Sequence, residues 1–260
     1  MSLLRVLLLA VPTLALCAWP PGSVKRGFYA TPKGALHYVV RGNVSAAPPL
    51  VFFHAHPRST EQVRVLMEEI PSSQPLIAVD YFGVGSSDEC ICDESVDEFV
   101  PYTTFAQMVL EICNREGVSK MIPLGSLTGA SGAFELAWLA AKEGRCDSLV
   151  QYEAYYLSPR AKNYIDTSYI PSIRHLPVNL DGSHLLFWWN KPDAGPIGPT
   201  KMAPVAADLM ANQQKTMDSL SMMRTGWQFK MGYTAYNDLI PGRLADLVHA
   251  GVRQLHVDGN

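Results

Sequence analysis

The residues that could carry out chemistry are a serine close to two glycines, a pair of histidines and a late aspartate. Ser126 lies in the sequence GSLTG, residues 125–129, and His54 and His56 lie earlier, in the sequence HAHPRS. Asp258 lies near the end of the sequence. A serine hydroxyl becomes a nucleophile when a base takes its proton and a third group orients that base. Ser126, His56 and Asp258 are thus residue types that could serve as nucleophile, base and acid in an acyl-transfer reaction.

Metal, redox and nucleic-acid chemistry have less support in the sequence. Cys90 and Cys92 are separated by one residue and lack a second pair at zinc-ligand spacing. A redox motif would have two residues between its cysteines. The net charge of −3 and the lack of lysine and arginine runs argue against nucleic acid as a default partner. We therefore expect no metal, no cofactor and no nucleic acid.

Strand-like and helix-like segments alternate through the first 155 residues. Continuous apolar runs predict strands buried on both faces, and apolar residues at helical spacing predict helices. The predicted strands are residues 27–30 and 35–41, which form an antiparallel pair, and 50–53, 76–79, 121–124 and 149–152; the predicted helices are 60–70, 103–116 and 131–142. This alternation predicts an α/β fold, with a mostly parallel sheet covered by helices on both faces.

The pattern changes after residue 155. Residues 156–200 contain clusters of proline and glycine, and residues 203–223 are typical of a methionine-rich helix. The strand-and-helix pattern resumes late, with a strand-like run at 252–257. We therefore predict one domain over 19–260, with a helical cap insertion over about 156–243.

The order of these features resembles the α/β-hydrolase superfamily over roughly residues 35–260. HAHPRS, residues 54–59, follows a buried strand, where such proteins place a loop whose backbone N–H helps to form the oxyanion hole. Residues 80–88 (DYFGVGSSD) follow the next strand and resemble the D-x-x-G-x-G-x-S-D turn of that family. Residues 125–130 (GSLTGA) lie between strand and helix, where the nucleophile elbow belongs.

The resemblance implies a nucleophile at the middle position of the elbow pattern G-x-S-x-G, where a strained turn projects the side chain over the sheet. In residues 125–129 that middle residue is Leu127, whose side chain has no lone pair and no proton to lose. Ser126 lies one residue too early and is expected to point elsewhere. The resemblance also implies an oxyanion hole made by the backbone N–H groups of Ala55 and Thr128.

A narrower likeness to a little-characterised branch of these hydrolases rests on three segments. They are the elbow Gly-x-x-Thr-Gly-Ala, the loop PRS at 57–59 and the sequence DGSHL at 181–185. In that branch the elbow often carries histidine in place of serine, whereas here the position is Leu127. The parent superfamily acts on esters, amides, epoxides and haloalkanes, so the resemblance does not fix the reaction.

The acid and the histidine of a triad can be placed in two ways. In one, residues 228–233 are the late strand and Asp238 is the acid; in the other, residues 252–257 are the strand and Asp258 is the acid. We favour the second. In both, no histidine follows the final strand, because His256 lies inside it.

Other polar and aromatic residues have both a functional and a packing interpretation. His54 or His56 could be a general base or bind a polar ligand, but we favour packing for both. His184, beside Asp181, could form a base–carboxylate pair, but a helix cap with a neighbouring histidine is favoured. The FWW block at 187–189 is expected to cover the open end of the sheet, where it could line a pocket for a small apolar molecule.

The N-terminal segment is typical of an export signal. Residues 1–18 have one arginine, an apolar stretch and small residues at the end; the stretch is too short for a membrane span and contains Pro12. We expect a mature chain without a membrane span, secreted or delivered to an organelle lumen. Asn43, in the sequence NVS, is the candidate glycosylation site. Four cysteines remain after removal of the signal, an even number that permits two disulfides or four free thiols.

Three functional hypotheses follow. The first is an exported protein of α/β-hydrolase fold that has lost its triad and binds or scaffolds. The second is an active hydrolase of a small apolar ester or related compound with an atypical nucleophile. The third is a truncated product of a longer gene. We favour the first, because Leu127 and the missing late histidine are two independent defects in one mechanism.

Overall fold

The computed structural model describes residues 24–55, 58–63, 69–91, 100–154, 159–164, 167–168, 181 and 236–257, and its centre is a seven-stranded sheet. The strands are β1 (Val24–Thr31), β2 (Gly34–Arg41), β3 (Leu50–Phe53), β4 (Leu76–Val79), β5 (Ile122–Ser126), β6 (Ser148–Tyr152) and β7 (Arg253–Val257). They lie in the order β1-β2-β4-β3-β5-β6-β7. Strand β2 pairs antiparallel with β1 on one side and with β4 on the other. The remaining strand pairs of the sheet are parallel.

Four helices are described in full: α1 (Tyr102–Arg115), α2 (Thr128–Lys142), α3 (Pro159–Tyr164) and α4 (Tyr236–His249). Residues 61–63 and 69 are also helical, as the sequence predicted for 60–70. Helix α2 begins at Thr128, three residues earlier than predicted. The glycines and threonine of its first turn have low helix propensity, and their place in the helix is set by the tertiary structure.

The helices cover both faces of the sheet. Successive side chains of a strand point to opposite faces, so each central strand contributes to two cores. On one face Phe53 packs with α1, α2 and Leu247 of α4. On the other face Phe52 and Ala78 pack around Val63, in the helical residues 61–63. The predicted fold class, a mostly parallel sheet covered by helices on both faces, is confirmed.

Strand β7 lies where the second of the two placements put the late strand. Residues 253–257 form β7, which pairs in parallel with β6, so the preferred placement of the late strand is confirmed. Asp238, the acid of the alternative placement, lies in helix α4. The strand of that placement, residues 228–233, lies outside the described residues. Asp258 itself lies outside the described residues, as do the proposed signal at 1–18, His56, the FWW block and most of the cap segment 156–243.

The cysteines do not form the two disulfides that their number permits. Cys113 and Cys146 are free thiols, and Cys113 is buried in the core. Cys90 is disulfide-bonded. Burial raises the pKa of the Cys113 thiol to about 12, so it is a packing residue and not a nucleophile. Within the described residues no helix is long and apolar enough to cross a membrane.

Candidate functional site

The candidate site lies at the carboxyl edge of the three central parallel strands. His54 follows β3, Asp80 follows β4 and Leu127 follows β5. Parallel strands end at the same edge of a sheet, so the sheet brings these three positions together. The turn after β5 is the feature that most clearly distinguishes this edge.

Leu127 has a strained backbone at the position where an elbow was predicted. It is the single residue between β5 and α2, and its φ of 51° and ψ of −122° lie outside the regions that residues with a Cβ normally occupy. Among the described non-glycine residues, only Leu127 and Glu153 have a positive φ. Such a conformation costs about 1–3 kcal/mol and persists only where the surrounding structure enforces it.

Two glycines and the neighbouring strands enforce the turn. A Cβ on Gly125 would lie 2.3 Å from the carbonyl oxygen of Gly129, and a Cβ on Gly129 would lie 2.2 Å from that of Phe53. The N–H of Leu127 donates to the carbonyl of Tyr152 at 2.9 Å. The sharp turn brings α2 so close to the strands that neither glycine position has room for a side chain.

The strain at Leu127 can be measured by comparing two truncations. We expect Leu127→Gly to be more stable than Leu127→Ala by about 1 kcal/mol, because glycine alone tolerates this backbone. Elsewhere in regular structure the order is reversed, with glycine less stable than alanine by about 0.5–1 kcal/mol. Urea unfolding of the two variants tests this, and an alanine variant of equal or greater stability would contradict the strained turn.

Ser126 is not placed as a nucleophile. It is the last residue of β5, it is buried, and its Oγ accepts a hydrogen bond from Nε2 of Gln62 at 3.2 Å. Among the described residues Ser126 has no hydrogen bond to a histidine, and the candidate base His56 lies outside them. A hydroxyl without an adjacent base keeps its proton at neutral pH and attacks a carbonyl poorly.

Gln62 also accepts the hydrogen bond of one of the two N–H groups that were predicted to form the oxyanion hole. The N–H of Ala55 donates to Oε1 of Gln62 at 2.9 Å, so this donor already has an acceptor from the chain itself. The second predicted donor belongs to Thr128, the first residue of α2, which is buried. This role of Gln62 was not predictable from the sequence, because a glutamine on a helix is ordinarily a surface residue.

His54 is held by hydrogen bonds on both ring nitrogens. Nε2 accepts from the backbone N–H of Tyr81 at 3.0 Å, which requires that this nitrogen carry no proton. Nδ1 then carries the proton and donates to the carbonyl of Ala55 at 3.1 Å. The ring is buried, and both of its nitrogens are engaged in these hydrogen bonds. The packing interpretation of His54 is the one this geometry favours.

Asp80 organises the turn that follows β4. Its carboxylate accepts from the backbone N–H of Thr60 at 2.6 Å and of Ser86 at 2.9 Å, and Nδ1 of His37 lies 2.7 Å from Oδ2. A Cβ on Gly85 would lie only 2.1 Å from Oδ2, so the turn wraps directly onto the carboxylate. Burial by itself raises the pKa of Asp80, but the hydrogen bonds from His37, Ser86 and Thr60 contribute to holding it below its usual value.

The space beneath the elbow is small. A cavity of about 10 Å³ adjoins the turn, which is room for about one water molecule. Its lining is mostly aromatic: Phe53, His54, Val79, Tyr81, Tyr102, Phe105 and Gly129. Tyr102 is hydrogen-bonded to Thr128, and burial raises the pKa of its hydroxyl, so it stays protonated. Among the described residues no three histidine, cysteine or acidic side chains cluster as metal ligands would.

The comparisons with known proteins concern the fold. No family model matches the sequence, and no curated protein matches it. An epoxide hydrolase from Pseudomonas aeruginosa is similar in structure, with a TM-score of 0.62 and 13% identity over 91% of this chain and 88% of that one.

A haloalkane dehalogenase, DbeA from Bradyrhizobium elkani USDA94, has a TM-score of 0.61 and 16% identity over 91% of this chain and 81% of that one. The epoxide hydrolase CorEH has a TM-score of 0.57 and 15% identity over 91% of both chains. At such identities the likeness concerns the architecture alone. The chain has the α/β-hydrolase fold.

Proposed function

We propose that this chain is an exported protein of α/β-hydrolase fold whose elbow does not hydrolyse, and which binds or scaffolds instead. The observation that carries the proposal is Leu127 at the strained position between β5 and α2. A nucleophile elbow presents one side chain for attack, and a leucine side chain has neither a lone pair nor an ionisable proton. A small apolar molecule is the ligand class that an aliphatic side chain at this position would suit.

Two neighbouring contacts support the loss of catalysis independently of Leu127. The Gln62 carboxamide accepts the Ala55 N–H that would otherwise stabilise an oxyanion. His54 has both ring nitrogens engaged and cannot take a proton from a nucleophile. A hydrolase of this type needs nucleophile, base and oxyanion donors together, because each is weak without the others.

Export is supported by residues 1–18 and by the oxidised state of one cysteine. The N-terminal run has the arginine, apolar stretch and small residues of a secretory signal. Cys90 is disulfide-bonded, and structural disulfides persist in oxidising compartments and are rare in the cytosol. We therefore propose secretion or delivery to an organelle lumen.

The test is an esterase assay on purified protein with short-chain and medium-chain p-nitrophenyl esters. We expect no turnover above a heat-inactivated control for the native chain or for Leu127→Ser. The restored hydroxyl in Leu127→Ser would have the elbow geometry, but His54 is not available to deprotonate it. The double variant Leu127→Ser/Gln62→Ala frees the Ala55 N–H. An ordinary enzyme turns over about 10 times per second, and we expect this variant to remain below about a hundredth of that rate.

Circular dichroism and a cooperative thermal transition show that each variant is folded. Turnover by the native chain that disappears on heating would contradict the proposal and favour an active hydrolase with an atypical nucleophile. Efficient turnover by Leu127→Ser alone would show that a base is present and that Leu127 is the single defect.

A further inference from the structure

We infer that Asn43 is N-glycosylated, and that the oligosaccharide projects from the edge of the sheet opposite the elbow. The inference rests on the export proposed above, because the transferring enzyme acts on chains that enter the secretory pathway. Asn43-Val44-Ser45 is the only Asn-x-Ser/Thr triplet in the sequence. Such triplets arise by chance, so the case depends on how the structure presents this one.

The triplet lies in a tight turn that exposes the asparagine. Asn43 follows directly after β2 and Gly42, whose φ is 78°. Oδ1 of Asn43 accepts from the N–H of Ser45 at 3.1 Å, and its backbone carbonyl accepts from the N–H of Ala46 at 3.2 Å. These bonds use the two oxygens of the residue. Within the described residues Nδ2, the atom that is glycosylated, donates no hydrogen bond and remains available to react.

The surroundings leave room for a large substituent. Val44 is buried and fixes the turn to the core, while Asn43 and Ser45 are exposed. The following residues, Ala46 and Ala47, are exposed and small. An oligosaccharide on Nδ2 would therefore displace no packed side chain of the part of the chain that the structure describes.

The position of the turn separates it from the candidate site. The turn precedes the amino end of β3, whereas Leu127 follows the carboxyl end of β5, and these strands are parallel neighbours. The two points thus lie at opposite edges of the sheet. A sugar chain at Asn43 would increase the solubility of that edge without covering the elbow.

The reaction takes its sugar from a lipid-linked oligosaccharide diphosphate. Nδ2 forms a bond to the anomeric carbon of the first sugar, and the bond from that carbon to the diphosphate oxygen breaks. The lipid diphosphate leaves with the electron pair, and one proton of Nδ2 is released. No oxidant or reductant is needed.

The test is translation of the full chain with microsomes, followed by protease protection and endoglycosidase treatment. We expect a protease-protected product with a single upward shift in mass that the endoglycosidase removes. Asn43→Asp should lose the shift, because it keeps the Oδ1 acceptor of the turn but has no Nδ2. Ser45→Ala should lose the shift too, because it destroys the acceptor triplet. It removes only one long hydrogen bond from the fold, that of the Ser45 hydroxyl to the carbonyl of Gly117 at 3.4 Å.

The matched control is Ser45→Thr, which keeps the acceptor triplet and should keep the shift. A protected product without a shift would overturn the inference and leave export intact. A product open to protease would overturn the inference together with export. Neither result would bear on the esterase assay, so a failure here is distinct from a failure of the non-catalytic proposal.

Discussion

Replacing Gly129 by alanine is expected to lower the free energy of unfolding by more than about 3 kcal/mol. The added Cβ would lie 2.2 Å from the carbonyl oxygen of Phe53 and 2.6 Å from that of His54. Both atoms belong to the backbone, at the last residue of β3 and the residue after it, so no side-chain rotation can relieve the overlap. Overpacking against side chains costs about 1–3 kcal/mol, and an overlap with backbone should exceed that range. Total stabilities are only about 5–15 kcal/mol, so a large fraction would be lost.

Gly242→Ala is the control for this variant. Gly242 lies inside helix α4, and a Cβ there would meet nothing within 4 Å. An alanine in a helix interior is more stable than glycine by about 0.5–1 kcal/mol, so the control should gain stability. Thermal and urea unfolding of both variants give the comparison. If the free energy of unfolding of Gly129→Ala lies within about 1 kcal/mol of that of the native protein, α2 does not approach β3 this closely.

Asp80→Asn is expected to lower the free energy of unfolding by about 3 kcal/mol, because it breaks a buried charged hydrogen-bond network. The carboxylate accepts from Thr60, Ser86 and His37, and an asparagine would turn one oxygen into a donor facing these donors. Urea unfolding at neutral pH measures the loss. Asp88→Asn is the control from the same turn, since Asp88 is exposed and accepts one backbone N–H, that of Ala35.

The Asp80 carboxylate also makes the free energy of unfolding depend on pH, in the direction of lower stability in acid. The pKa of Asp80 is lower in the folded chain than in the unfolded one, so the unfolded state binds more protons in acid. Its contribution is complete above the unfolded pKa of about 3.9 and is lost as the pH falls towards the lower folded value. The gap between native protein and Asp80→Asn should therefore narrow below about pH 4. A gap that is constant from neutral pH down to this range would contradict the network.

The sheet and the elbow were predictable because their signals are local. The strands at 50–53 and 76–79 are uninterrupted apolar runs, which is what burial on both faces requires. The resemblance of residues 125–130 to the elbow of α/β-hydrolases identified Leu127 as the middle residue of the turn. Both signals are carried by residues that are neighbours in the chain.

The contacts around the elbow were not predictable, because they join distant segments. Gln62 lies 64 positions before Ser126, and nothing in its own neighbours indicates that its amide contacts that hydroxyl. The partners of His54 depend on where the backbone of Tyr81 lies, which is fixed only once β3 and β4 have paired. Asp80 looked like part of a turn motif, and only the folded chain reveals that it binds His37 from β2.

The elbow separates the shape of a site from its reactivity. Its backbone is dictated by Gly125, Gly129 and the strands around them, and Leu127 only fills the position they create. The residues that set the bend are therefore different from the residue that sets the chemistry. Exchanging the side chain at 127 changes what this edge of the sheet displays while the bend that displays it stays in place.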